Sequence, residues 1–132
     1  MKVAVLVKQV EDARTVRIDS ASGAASTTGE PVMNPADAWT VSESIDLREA
    51  IGGEVTAITL GSKAAREVVV EALATGADAG IHVVAEDAGN ADSRVVAAAL
   101  ADAIREKGFD IILAGDAATD YGSGQVGVQV AE

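Results

Sequence analysis

The feature that most constrains this chain is an alternation of periods. Short β-branched runs recur along it, and between them lie longer stretches with apolar residues at near-helical spacing. Residues 2–8 open the chain with an apolar run that lacks in-out alternation, as in a parallel strand buried on both faces. Residues 11–30 are polar, with Ser, Thr and Gly clustered at 20–29; Val16 and Ile18 alternate with charges, which fits a small exposed hairpin. Asn34-Pro35 marks a helix start, because Asn caps well and Pro at the first helical position loses no hydrogen bond. Ala38, Val41, Ile45 and Leu47 carry that helix to Gly52-Gly53. Residues 55–60 read as a second strand, and Ser62 stands where it could cap the next helix. That helix has an apolar face of Val68, Val69, Ala72 and Leu73 and a stop at Gly76. Residues 81–84 are a third strand and 85–91 a polar loop. Asp92 or Ser93 then caps a helix running to Lys107, and residues 109–113 are a fourth strand closed by Gly115. Gly122, Ser123 and Gly124 make a flexible turn before a helical pattern that begins near Gln125.

Strands alternating with helices imply an α/β fold: an open parallel sheet with helices on both faces, Rossmann-like, joined by right-handed crossovers. The 132 residues suit one domain. The last helical pattern breaks off at Glu132 after fewer than three turns. We therefore expect residues 1–132 to be the amino-terminal part of a single, longer nucleotide-binding domain, with at least one further strand in the intact protein.

Composition narrows the function. Apolar residues make up 48% of the chain and aromatics 2%, namely Trp39, Phe109 and Tyr121, so small aliphatic side chains must build the core. There is no cysteine, which excludes disulfides and thiolate chemistry, and the single His82 cannot form a histidine cluster. No metal site is expected. The net charge of −11 opposes binding to nucleic acid and suits a high-salt cytoplasm or an ordinary acidic protein equally. No apolar run is long enough to enter a membrane, and the opening run is too short for a signal peptide, so a cytoplasmic location is expected.

Ligands of open α/β sheets bind outside the carboxyl ends of the strands. Lys8-Gln9-Val10, Asn34, Leu60-Gly61-Ser62 and the stretch from Gly115 to Gly127 fall there. The last is the most informative, because glycines let a backbone approach a phosphate and Ser123 and nearby N–H groups can donate to it. Neither the dinucleotide fingerprint after the first strand nor the phosphate-loop motif with its lysine is present. His82, inside a strand, reads as a partly buried or edge residue. Asp12 and Asp120 read as solvated carboxylates, Trp39 as a packing residue, and Tyr121 as a loop tyrosine able to stack on a base. No catalytic constellation emerges, so the chain reads as a binder.

Three blocks taken together resemble a known family. They are Val32-Met33-Asn34-Pro35-Ala36-Asp37, the stretch from Ala72 to Val83 that includes Thr75-Gly76-Ala77-Asp78, and the Gly115–Gly127 loop; Val5-Leu6-Val7-Lys8-Gln9-Val10 also fits. In order and spacing they are similar to the amino-terminal half of the beta subunit of electron-transfer flavoproteins, across essentially all 132 residues. The resemblance implies a heterodimer with an FAD-bearing alpha subunit, carrying electrons from dehydrogenases to a quinone reductase or another acceptor. The beta subunit of that family holds AMP, or a second FAD in electron-bifurcating members. By position the resemblance assigns nucleotide contacts to Leu6, Asn34, Leu60, Gly115, Asp120, Tyr121, Gly122, Ser123, Gly124, Gln125 and Val126. Two departures stand out. Asp12-Ala13 replaces the Asp-Tyr that many members carry after the first strand, and the acidic run of the loop is thinned to Asp120-Tyr121-Gly122. Gln125-Val126-Gly127 and the residues after it look closer to bifurcating members, and AMP and FAD both stay open.

Two other readings remain. One is a free-standing adenine-nucleotide-binding module of universal-stress-protein type, although the glycine pattern of that architecture is missing. The other is a fragment of an unrelated α/β enzyme whose catalytic residues lie downstream.

Overall fold

The computed structural model describes residues 1–132. In chain order the elements are β1 (Lys2–Leu6), β2 (Gln9–Val10), β3 (Val16–Ile18), β4 (Ala25–Thr27), β5 (Val32–Met33), α1 (Pro35–Ile51) and β6 (Glu54–Gly61). They continue as α2 (Arg66–Thr75), β7 (Ala79–Val84), α3 (Ser93–Ile104), β8 (Ile111–Ala114) and α4 (Val126–Ala131).

Four strands form one parallel sheet in the order β7-β6-β1-β8. The chain steps from β1 to β6 to β7 through α1 and α2, then returns past β1 to β8 through α3. Because such crossovers are right-handed, reversing direction puts α3 on the opposite face from α1 and α2. The core divides accordingly. Val3, Val5, Val7, Val55 and Ala57 pack with Val41 of α1 and with Val68 and Ala72 of α2. Ala4, Leu6 and Ile58 pack with Leu100 and Ile104 of α3, with Val126 and Val130 of α4 against them. Adjacent residues of β1 thus serve opposite cores, as the two-residue period of a strand requires. Two antiparallel ribbons lie outside this sheet: β2 pairs with β5, and β3 with β4 in the exposed hairpin read from residues 11–30.

Several local readings need correction. Ser62 makes no cap; a short 3-10 turn, Lys63–Ala65, intervenes before α2. Of the two caps offered for α3, Asp92 serves, accepting from the Arg94 N–H, but α3 stops at Ile104 instead of Lys107. The first strand ends at Leu6, and the fourth begins at Ile111, after the Asp110 carboxylate has accepted from the Lys2 N–H. Trp39 does not pack: it is 74% exposed on α1. The shifted strand and helix ends arise because the periodic pattern fixes element type better than element ends.

The turn between α2 and β7 is pinned by Asp78. Its carboxylate accepts from the Val55 N–H at 2.8 Å and from Arg48 Nη1 at 3.0 Å, and the same guanidinium nitrogen donates to Gly76 O at 2.9 Å. One side chain therefore joins α1, the glycine turn and β6. The Val55 N–H, followed by Arg48, holds the Asp78 carboxyl below its ordinary value of 3.8. A lowered carboxyl contributes stability above its unfolded pKa and loses it as pH falls through the folded one. Asp78→Asn is expected to cost about 1–2 kcal/mol at neutral pH, a partly exposed charge-assisted bond being discounted for screening. Urea unfolding should show that difference from wild type in full near neutrality and shrinking as pH drops below 3.8; a difference that stays constant with pH would show that the ion pair contributes nothing.

Candidate functional site

β1 and β8 lie side by side, yet the chain leaves them toward opposite faces of the sheet. Beyond their carboxyl ends the backbone parts, and a cavity of about 840 Å³ opens there, well within the size of small-molecule sites. All eleven residues singled out from the sequence line it: Leu6, Asn34, Leu60, Gly115, Asp120, Tyr121, Gly122, Ser123, Gly124, Gln125 and Val126. Residues 108 or more positions apart in sequence, such as Leu6 and Asp120, meet there because β1 and β8 pair in register, Leu6 beside Ala114.

The loop after β8 is held from below by two residues at the start of α1. Asn34 is 1% exposed, and its side chain does not cap the helix. Instead its Nδ2 donates to Ala117 O at 3.0 Å and its Oδ1 accepts from the Thr119 N–H at 3.2 Å. Asp37 is also buried. Its carboxylate accepts from the Lys8 N–H at 2.8 Å and from the Gly115 N–H. Desolvation pushes the Asp37 carboxyl above its ordinary value, and the bonds from Asn34, Lys8 and Gly115 only partly offset it. Gly115 has to be glycine, since a Cβ there would collide with Asp37 Oδ1.

The rim is closed by Lys8. Its Nζ is 2.6 Å from Asp120 Oδ2 and lies 5.5 Å from the centre of the Tyr121 ring, an ion pair and a cation–π contact in one place. Tyr121 itself is 78% exposed. Gly122 and Gly124 adopt φ values of +63° and +61°, which side chains tolerate poorly. The N–H groups of Ser123, Gly124 and Gln125, which follow that bend, find no acceptor within the chain. They form a short run of free donors beside a backbone with little side-chain bulk, an arrangement suited to an anionic oxygen. Across the cavity, Ser93 Oγ at the start of α3 donates to Gln125 Oε1 at 3.1 Å. The floor is apolar, with Leu6, Ile58, Leu60, Val96 and Leu100.

Residues not assigned as contacts beforehand also line it, among them Asp37, Glu86, the 88–91 turn and Ser93. The loop after β7 also follows a strand's carboxyl end, so position alone could have marked it. Asp12 stands elsewhere, capping the turn Ala13–Thr15 and paired with Arg14. His82 lies on the edge strand β7, its Nε2 3.3 Å from Gly61 O, and does not line the cavity. A smaller cavity of about 250 Å³ runs along β8 and α4, lined by Ile112, Val128 and Val130 among others, with Asp116 as its only charged side chain.

No helix of the structure is long and apolar enough to cross a membrane. A family model described as the electron transfer flavoprotein domain matches residues 23–132. The electron transfer flavoprotein subunit beta of Thermoanaerobacterium thermosaccharolyticum is 39% identical over all of this chain and 51% of its own length. The same subunit of Syntrophomonas wolfei is 40% identical over all of this chain and 52% of its own. The Caffeyl-CoA reductase-Etf complex subunit CarD of Acetobacterium woodii is 36% identical, again over all of this chain and 52% of its own. The chain spans about half the length of the curated relatives it matches. With a family model over most of its residues and relatives that align along its whole length, the chain belongs to the electron transfer flavoprotein family.

Proposed function

We propose that residues 1–132 are the nucleotide-binding part of an electron-transfer flavoprotein beta subunit, holding AMP or a second FAD at the cavity beside β1 and β8. The observation that carries this reading is the convergence of all eleven candidate residues on one cavity at the point where the strand order reverses. The chemistry of the lining fits an adenine nucleotide. Leu6, Ile58 and Leu60 offer an apolar floor for a base, and the free N–H groups of Ser123, Gly124 and Gln125 offer donors for a phosphate. Lys8 supplies the one cation. Asn34 acts at one remove, since both ends of its amide are committed to the loop.

The intact protein pairs with an FAD-bearing alpha subunit and passes electrons from dehydrogenases to a quinone reductase or another acceptor. Bound flavin supplies the redox chemistry. The residues of this chain bind, orient and shield the nucleotide. The family match favours this reading over a free-standing module of universal-stress-protein type.

Purification of the full-length protein from its own cells tests the assignment. The expected product is a yellow complex with a second subunit that releases flavin, with AMP or a second FAD, on denaturation; one or two FAD per complex decides between the nucleotides. A colourless single protein carrying ATP would overturn the assignment.

Two substitutions test the site within that complex. Gly122→Ala forces a side chain into a left-handed conformation at a strain of about 1–2 kcal/mol, so nucleotide affinity should fall about tenfold. Asn34→Ala removes both ties to the loop and should weaken binding by a similar factor while lowering stability by about 1–3 kcal/mol. Unchanged affinity in both variants, measured by calorimetry, would place the nucleotide elsewhere.

A further inference from the structure

The chain has three aromatic side chains, and two of them have duties inside it. Phe109 packs against the core beneath α3, and Tyr121 lies beside the Lys8 ammonium at the rim of the cavity. Trp39 has none. It is 74% exposed on α1, and no cation of the chain lies over its ring. The largest apolar surface available to any side chain is thus left in water.

The face around Trp39 is uniform in charge. Helix positions four and seven residues apart fall on one stripe, which places Glu43 and Asp46 in line with Trp39. Both carboxylates are exposed, and neither forms an ion pair. Arg48, the only cation of α1, is turned away: its Nη1 serves Asp78 and Gly76 O, and its Nη2 comes no nearer than 3.9 Å to Glu49. This pattern decides what can cover the stripe. An apolar segment laid over Trp39 would take two carboxylates out of water with no cation to meet them. A permanent contact is built from apolar surface, whereas one aromatic anchor with a charged border suits a contact that forms and parts. The net charge of −11 attracts basic partners over a distance and repels acidic ones.

We propose that the outer face of α1 is a docking surface for a separate protein with a basic patch. The Trp39 indole receives an arginine or lysine side chain, and Glu43 and Asp46 supply the counter-charges. An indole offers a cation the best of the aromatic faces, and neighbouring carboxylates strengthen the same contact. The surface is distinct from the nucleotide cavity, since none of these three residues lines it. It begins close by, because Ala36, three residues before Trp39, lies against Gly115 in the loop after β8.

The test uses the full-length protein, purified from its own cells with whatever subunit stays bound. The difference in fluorescence between wild type and Trp39→Phe isolates this indole. Acrylamide and caesium are expected to quench it, with iodide less effective beside the carboxylates. An indole shielded from all three is covered by the remainder of the chain or by the bound subunit, which overturns the proposal. A labelled arginine-rich peptide then serves as the basic probe, its binding followed by anisotropy as salt is raised. Affinity is expected to fall with salt. It should drop about fivefold in Trp39→Ala, and by a similar factor when Glu43→Gln and Asp46→Asn are combined. Glu67→Gln with Glu71→Gln removes the same charge from exposed positions of α2 and should change affinity less than about twofold. All these side chains are exposed, and thermal melting confirms that each variant folds. No binding of the peptide, no loss in Trp39→Ala, or an equal loss in the α2 variant overturns the docking face. None of these readouts involves a nucleotide, so the two assignments fail separately.

Discussion

The structure depends on β1 being enclosed on every side. It pairs with β6 along one edge and β8 along the other, and its successive side chains enter two separate cores. Val3, Ala4 and Val5 are at most 1% exposed. Five consecutive residues with no polar side chain are therefore required and not merely favoured, since a polar group at any of them would lose water on both faces. Small side chains are required as well. With Val and Ala on the strand and Val41, Val68 and Ala72 on the helices, the helices can lie close to the sheet without a single buried aromatic.

Enclosing β1 in this way also creates the cavity. A strand with neighbours that lead the chain to opposite faces leaves a gap beyond its end, and no packing of the helices can close it. What the sequence adds is a loop stiff enough to line that gap. Asn34 and Asp37 supply the stiffness from the start of α1, gripping Ala117, Thr119 and Gly115, while Lys8 grips Asp120 from the segment that follows β1. The helix that covers one core thus also sets the geometry of the site, so that packing and binding are connected through a single turn.

The strand and helix periods were legible because each is repeated over enough residues to be unambiguous. Residues 35–51 follow Asn34-Pro35 and end at Gly52 as the sequence suggests. The carboxyl-end rule likewise brought Lys8, Asn34, Leu60 and the Gly115–Gly127 loop together without knowledge of any contact. The side-chain duties were not legible. Asn before Pro reads as a cap, yet the Asn34 amide turns away from the helix end and ties the loop after β8, donating to Ala117 O and accepting from the Thr119 N–H. Trp39 reads as core on hydrophobicity, yet it stands on the outer face of α1, where the helical period places it once Val41 and Ser44 point inward. Ser62 reads as a cap, but the backbone first makes a 3-10 turn that puts Ala65 into the core. Only the Asn34 failure concerns a partner distant in sequence, which local pattern does not encode.

Asp37 is the point at which stability and organisation oppose one another. Its raised pKa means that the fold holds the ionised carboxylate at a disadvantage relative to the unfolded chain, a penalty absent below the ordinary value of 3.8 and felt as pH rises through the folded one. An apolar residue in its place would escape that penalty. It would also leave the Lys8 and Gly115 N–H groups, now satisfied at the ends of two adjacent strands, without an acceptor in a buried place, at a cost of about 1–3 kcal/mol each. It would further remove the group that sets where β1 and the loop diverge. A buried carboxylate is a poor choice for stability alone. Here it faces three donors, arriving from the segment after β1, the start of α1 and the exit of β8. The same negative charge then faces the cavity, so the residue that organises the site also contributes to its acidity.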